Sequence, residues 1–281
     1  MADARRLTDD QHWTEVHRTN GSDASRTITA YARRLLGPSA SEFFSNGGYA
    51  GYVVAERVLG PYLDVGARVL EIGSAPGVRL ARLAKRFQCD PWGLEYTSEG
   101  ARLNRDTFAR YGFSPDHVIE GDFFSDAVVD AHRDAFDVVV SNGFIEHFTD
   151  VAAVVERHIA LVRPGGILAI SIPNLRGVNY WLSKFFNADV LAKHNLSIMT
   201  LPAFSALFER EDLESLYCGY VGWFFMGLQN TPPGSPKRHL LRAGMAIEKP
   251  FDLAAKRLFG SESPQLPALS PFLYYVGRRR E

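Results

Sequence analysis

The chain reads as an α/β fold built on a mostly parallel sheet, and two observations predict it. From Arg68 onward, short apolar runs alternate with segments of helical periodicity, as in a sheet joined by crossover helices. The first run, "RVLEI", also passes through the glycine turn "GSAPG" straight into the amphipathic "VRLARLAKRF". In a strand–turn–helix unit of this kind, unpaired backbone N–H groups face whatever lies above the sheet.

The elements follow in order. Val69, Leu70 and Ile72 make the first strand, Arg68–Ile72, an apolar run suited to a buried parallel position. "PWGLEY" (Pro91–Tyr96) is the second strand, followed by a helix over Ser98–Tyr111. "HVIEGD" (His117–Asp122) is the third and "FDVVVSN" (Phe136–Asn142) the fourth, with a helix through "VAAVVERHIALV". "RPGG" predicts a turn into the fifth strand, Ile167–Pro173. "LYCGYVGWFFMG" and "SPFLYYVG" read as two late strands, with a basic amphipathic segment, about Lys237 to Phe259, between them. Residues 1–60 form an N-terminal helical segment rich in aromatics (Trp13, Tyr31, Phe43, Phe44, Tyr49, Tyr52), and the remaining domain spans 61–281. An insertion of about 174–212 carries Tyr180, Trp181, Phe185, Phe186 and His194. Both regions should flank the carboxyl ends of the strands, where open α/β sheets bind ligands, and are candidate lids.

Composition bounds the function. With 281 residues, 46% hydrophobic and 22% charged, the chain can bury a proper core. Its net charge of −1 implies no broad attraction to nucleic acid or to an anionic membrane. Two cysteines far apart, Cys89 and Cys218, fit a reducing compartment, and no apolar run has signal-peptide or membrane-span length. The expectation is a cytoplasmic monomer or homodimer with no nucleic-acid or membrane partner.

The glycine turn does not fit a phosphate ligand. A dinucleotide loop needs glycine where this chain has Ala75, and Pro76 has no N–H to donate. A Walker loop needs Lys and Ser/Thr where Val78 and Arg79 stand. A phosphate-free ligand with polar groups around a ribose fits better. Glu95, ending the second strand, is placed to accept hydrogen bonds from ribose hydroxyls. Asp122 can accept from an exocyclic amine, and Phe123 can cover a purine face. Asn142 and Gly143 leave the fourth strand beside the glycine turn. Glu146 and His147 follow on that exit, where a histidine can act as general base; two ligands are too few to argue a metal.

"VLEIGSAPG", "GLEY", "EGDFF", "FDVVVSNGFIEHF" and "LVRPGGILAISIPN", in this order and spacing, resemble the motifs of class I S-adenosylmethionine-dependent methyltransferases over about residues 66–174. "AKHNLSIM", followed by a helix, is similar to a segment of a group of bacterial methyltransferases found among small-molecule and glycan genes. The resemblance implies a Rossmann-like seven-stranded, mostly parallel sheet with helices on both faces, "SPFLYYVG" being the antiparallel strand. It implies S-adenosyl-L-methionine as cofactor. Glu71, Gly73, Ser74 and Gly77 would surround its methionine part, Glu95 the ribose, with Tyr96 against the adenine. Asp122 would take the adenine amine and Phe123 the ring, with Asn142 and Gly143 under the sulfonium side. Ubiquinone-type members carry a carboxylate three positions before the Glu-His pair and can bind a metal there. This chain has Gly143 at that position, so no metal is expected.

The expected activity is methyl transfer to a small-molecule acceptor, oxygen being preferred to nitrogen or carbon because His147 and His194 are available as bases. Tyr49, Phe144, Tyr180 and Trp181 are candidate acceptor contacts. The alternatives are an RNA or protein methyltransferase, or a cofactor binder that moves no methyl. The "APG" turn is also similar to that of FtsJ-like RNA methyltransferases, but no lysine-rich catalytic set or basic surface signal accompanies it.

Overall fold

The computed structural model describes residues 6–8, 13–14 and 38–281, without the side chains of 38–40. Helices α1 (Pro38–Ser45) and α2 (Gly48–Val53) and a π turn (Val54–Val58) precede the sheet. Then come β1 (Arg68–Ile72), α3 (Val78–Phe87), β2 (Asp90–Glu95), α4 (Ser98–Tyr111), β3 (Val118–Glu120), α5 (Asp126–Ala131), β4 (Phe136–Asn142), α6 (Val151–Leu161) and β5 (Val162–Pro173). The insertion holds α7 (Gly177–Phe186), α8 (Asp189–Ala192) and α9 (Leu201–Ser205), followed by β6 (Leu213–Val221), α10 (Lys237–Phe259) and β7 (Phe272–Arg279).

The seven strands form one sheet in the order β3-β2-β1-β4-β5-β7-β6. All neighbouring pairs from β3 to β5 are parallel, and β7 runs antiparallel between β5 and β6, as expected for "SPFLYYVG". The chain moves outward from β1 to β3 and then returns to β4. β1 and β4 therefore flank the point where strand order reverses, which is where ligands enter sheets of this kind.

Period-two alternation sends successive side chains of each strand to opposite faces. Leu70 and Ile72 join Val139, Leu168 and Ile170 under α6 on one face. Val69 joins Val138, Val140 and Ala169 under α3 and α4 on the other. The second half of the insertion is part of the first core: Met199, Phe204 and Phe208 are buried in it, and the Phe208 ring stacks on Tyr275 at 3.8 Å.

β2 is shifted by one residue from expectation, to Asp90–Glu95, and three strands differ by more. "RPGG" is not a turn before β5 but a bulge within it, between the pairs Phe136↔Val162 and Val138↔Ile167, with Gly165 at φ 73°. β3 has three residues because Pro115–His117 coil into a 3-10 turn capped by Ser114. β6 starts and ends earlier than "LYCGYVGWFFMG", leaving the sheet at Gly222, which takes φ 84°. Of the N-terminal segment, the aromatic Tyr31 lies outside the described residues.

Candidate active site

A cavity of about 1030 Å³ opens at the carboxyl ends of β1, β2 and β4. Parallel register puts Ile72 beside Leu94 and Ser141, and Asn142 beside Ser171, so the residues after each strand share one edge. Gly73, Glu95, Tyr96, Asp122, Phe123, Asn142, Gly143, Phe144 and His147 all line this space.

The turn after β1 carries two glycines with different duties. Gly73 has φ 67°, and an added Cβ would stand 3.1 Å from the Phe144 ring. Gly77 has φ 78°, and its Cβ would collide with Asn104 Oδ1 at 1.9 Å. Gly77 therefore serves the packing of the turn against α4. Ser74 belongs to the same node: its hydroxyl accepts from Asn104 Nδ2 at 2.5 Å and is buried. Neither Ser74 nor Gly77 lines the cavity, and both help to fix the turn.

Glu71 is also behind the wall. Burial raises its pKa against the lowering effects of Arg79 and of Asn142, whose Nδ2 donates to Glu71 Oε1 at 2.9 Å. Asn142 Oδ1 in turn accepts from the Ser171 hydroxyl at 2.9 Å. Glu71 thus orients Asn142, and Asn142 faces the cavity. Glu95 is buried but lines the space; its Oε1 accepts from Thr97 N at 2.9 Å and Thr97 Oγ1 at 2.7 Å, which fixes the carboxylate.

At the β3 end, Asp122 is held by Arg6. The guanidinium donates to both carboxylate oxygens at 2.7 and 2.9 Å and lies over the Tyr96 and Phe124 rings, 5.3 and 5.1 Å from their centroids. Arg6 was not legible as a site residue because "MADARRL" carries no motif. Its position is set by a bridge to Phe148 and by the Leu7 N–H donating to His147 O at 2.8 Å.

The opposite wall centres on His147. Its Nδ1 lies 2.9 Å from Lys193 O. A carbonyl only accepts, so Nδ1 carries the proton and Nε2 is the basic nitrogen. The Trp13 ring stands edge-on at 5.0 Å and also lines the cavity, while the His194 ring lies at 4.5 Å. His194 Nδ1 faces Val190 O at 2.7 Å and so donates as well. His194 touches His147 but does not line the cavity. Glu146 is buried, its Oε2 has no hydrogen-bond partner among the described residues, and burial pushes its carboxyl up to about 8. Glu146, His147 and His194 present donor atoms within 4.8 Å of one another, a set that could pass protons or hold a divalent cation.

Among the expected acceptor contacts, Phe144 lines the cavity, and three residues do not. Tyr49 is fully buried and donates its hydroxyl to Glu262 O at 2.8 Å; the aromatics at 43, 44 and 52 lie near it, against Lys249 and Lys256 of α10. Tyr180 and Trp181 sit on α7, whose start is fastened to the 268–270 loop: Val178 N donates to Ala268 O, and a Cβ on Gly177 would strike that backbone. The insertion thus reaches the site through Lys193 and His194, not through its aromatics.

The model of the methyltransferase domain family matches residues 50–217, more than half of the chain. A ubiquinone biosynthesis O-methyltransferase of Psychrobacter arcticus is 27% identical over 221 residues, covering 71% of this chain and 79% of that one. The solved geranyl diphosphate C-methyltransferase of Streptomyces coelicolor, in complex with Mg2+, geranyl-S-thiolodiphosphate and S-adenosyl-L-homocysteine, superposes with a TM-score of 0.50 at 13% identity, covering 79% of this chain and 73% of that one. The cyclase SpnF superposes at 0.51 and 16% identity, covering 82% and 79%. At such identities the two structures speak for the fold alone. The family match, which spans the strand ends that line the cavity, makes the chain a member of the methyltransferase domain family, a class I S-adenosylmethionine-dependent methyltransferase.

Proposed function

We propose that the chain methylates a hydroxyl of a small, partly apolar acceptor, with His147 as general base. The observation that carries this reading is that His147, whose basic nitrogen is Nε2, shares one cavity with Glu95, Gly73 and Asn142. Glu95 would hold the ribose, since Thr97 already fixes its carboxylate at the wall. The Gly73 turn would hold the methionine part, Asn142 and Gly143 the sulfonium side, and Tyr96 and Phe123 the purine, with Asp122 at its amine. S-adenosylmethionine supplies a methyl group on a sulfonium, reactive without further activation.

The protein's part is to align the acceptor, exclude water and take one proton. His147 Nε2 removes the hydroxyl proton as the oxygen attacks the methyl carbon, and the Nδ1–H bond to Lys193 O stabilises the imidazolium that forms. His194 holds the His147 ring from behind and is a positioning residue. Trp13, Phe144 and Phe148 give the acceptor end an apolar wall, and Arg6 and Thr8 line the same side. Gly143 offers no second carboxylate beside Glu146 and His147. The reaction is therefore read as metal-independent.

The test is release of S-adenosylhomocysteine over a panel of phenols, hydroxy acids, sugars and RNA, with and without chelator. Turnover on a hydroxylated small molecule that survives chelation is expected. Turnover on RNA alone would overturn the acceptor class. Loss on chelation, restored by a divalent ion, would make Glu146, His147 and His194 ligands.

A further inference from the structure

The net charge of the whole chain conceals a strong local asymmetry on α10 (Lys237–Phe259). Leu240, Ile247, Phe251 and Leu258 recur at intervals of seven, four and seven residues, which puts them on one side of a helix. All four are exposed, by 56, 64, 53 and 77%. They form a stripe spanning about 27 Å along the helix. The face that packs on the domain is a different one, carrying Leu241, Glu248, Asp252 and Ala255.

Charge on the helix is divided in the same way. Its two acids are both buried and occupied: Glu248 accepts from Met226 N at 2.6 Å, and Asp252 accepts from Trp223 Nε1 at 3.2 Å. Its cations, Lys237, Arg238, Arg242, Lys249, Lys256 and Arg257, lie at or near the surface, so every exposed charge on the helix is positive. The patch continues onto α7. Lys237 donates to Phe185 O and covers the exposed Phe185 ring, and Lys184 covers the exposed Trp181 ring.

We propose that α10, with the outer face of α7, binds an anionic lipid surface. The helix would lie in the interface with Leu240, Ile247, Phe251 and Leu258 among the acyl chains and its cations at the phosphates. Trp181 has the ring suited to the headgroup level. Because every exposed charge on the helix is positive, the partner that fits the face is anionic, with the polar face of the helix turned from the acyl region. The contact is peripheral: among the described residues no helix is long and apolar enough to cross a membrane. The proposal revises the expectation of no membrane contact, which rested on summed charge.

The test is co-sedimentation of the full chain with phosphatidylglycerol vesicles and, separately, phosphatidylcholine vesicles. Binding to phosphatidylglycerol is expected, weakening with added salt, and weaker by about tenfold or more on phosphatidylcholine. Ile247→Glu with Leu258→Glu should lower phosphatidylglycerol binding by about tenfold or more, because charged side chains no longer enter the acyl region. Arg238→Glu with Arg242→Glu, which leaves the apolar stripe intact, should lower it too and reduce its salt dependence. Both pairs of positions are exposed, and unchanged affinity for S-adenosylhomocysteine would show that the variants are folded. No vesicle binding by the wild type overturns the proposal. So does equal binding by folded variants. A wild-type dimer that the Ile247/Leu258 variant dissociates would make this face a protein interface instead, and would equally overturn it.

Discussion

The two walls of the cavity come from different kinds of structure. The wall proposed for the cofactor is a row of strand ends, Gly73, Glu95–Tyr96, Asp122 and Asn142, set side by side by sheet register. The wall proposed for the acceptor comes from separate segments, Trp13 near the start and Phe144–Phe148 after β4, with Lys193 and His194 of the insertion supporting His147 from behind. The first wall has the main chain of a buried sheet behind it. The second depends on a few side-chain to carbonyl bonds and ring contacts. One wall can thus keep a fixed ligand while the other varies with the acceptor.

The largest effect should fall on the first wall. Gly73→Val puts a β-branched side chain at φ 67° and against Phe144, so binding of S-adenosylhomocysteine should vanish in a chain that still melts cooperatively. A folded variant that binds normally would break the comparison at its firmer side.

On the second wall, His147→Ala should cut turnover by roughly 10²–10⁴-fold while sparing cofactor affinity. His194→Ala should cost less, because His194 reaches the cavity only through His147. Single-turnover rates beside calorimetric affinities separate these effects. Equal losses in the two variants would deny the division between base and positioning residue.

The difference between the walls also explains what the sequence disclosed. Strand, glycine and acidic residue follow one another locally in "VLEIGSAPG" and "GLEY", and the parallel sheet does the rest, so the placing of Glu95 and Gly73 on one edge was legible. Ser74 and Gly77 were legible as a turn, but their packing on Asn104 was not, because Asn104 is 30 residues from Ser74 in the chain. Arg6 gave no signal, since its partner Asp122 is 116 residues away. The aromatics of α7 and α2 were visible as a composition, but composition does not say which way a helix faces. Docking on the 268–270 loop and on α10 turned them from the cavity.

A buried acid belonging to neither wall supplies a control. Burial pushes Glu248 up to about 7 from an ordinary value of 4.5. The folded chain therefore binds more protons than the unfolded one between these limits. Stability should be fullest below about 4.5, fall as pH rises towards 7, and level off above. Glu248→Gln should remove that part of the decline in melting temperature between about pH 5 and 8. An unchanged slope would mean that Glu248 ionises without cost.

The smallest effect should appear where Arg6 meets both Asp122 and the rings of Tyr96 and Phe124. Arg6 stands where the purine is proposed to lie, so a bound cofactor has to displace it. The Arg6–Asp122 pair is partly exposed, and such pairs are worth about 0.2–1 kcal/mol. Arg6→Ala should therefore tighten S-adenosylhomocysteine binding by no more than about five-fold. Weaker binding would place Arg6 among the contacts that hold the cofactor.

The central claim is that Glu95 holds the cofactor ribose at the end of β2. Its most direct test is calorimetric titration of S-adenosylhomocysteine into the wild type and into Glu95→Ala, both checked for folding. The account predicts one site per chain in the wild type. It predicts a loss of about 1.5–3 kcal/mol or more in the variant, at least tenfold in affinity, because charge-assisted hydrogen bonds to the ribose disappear. An affinity unchanged by the substitution would contradict it.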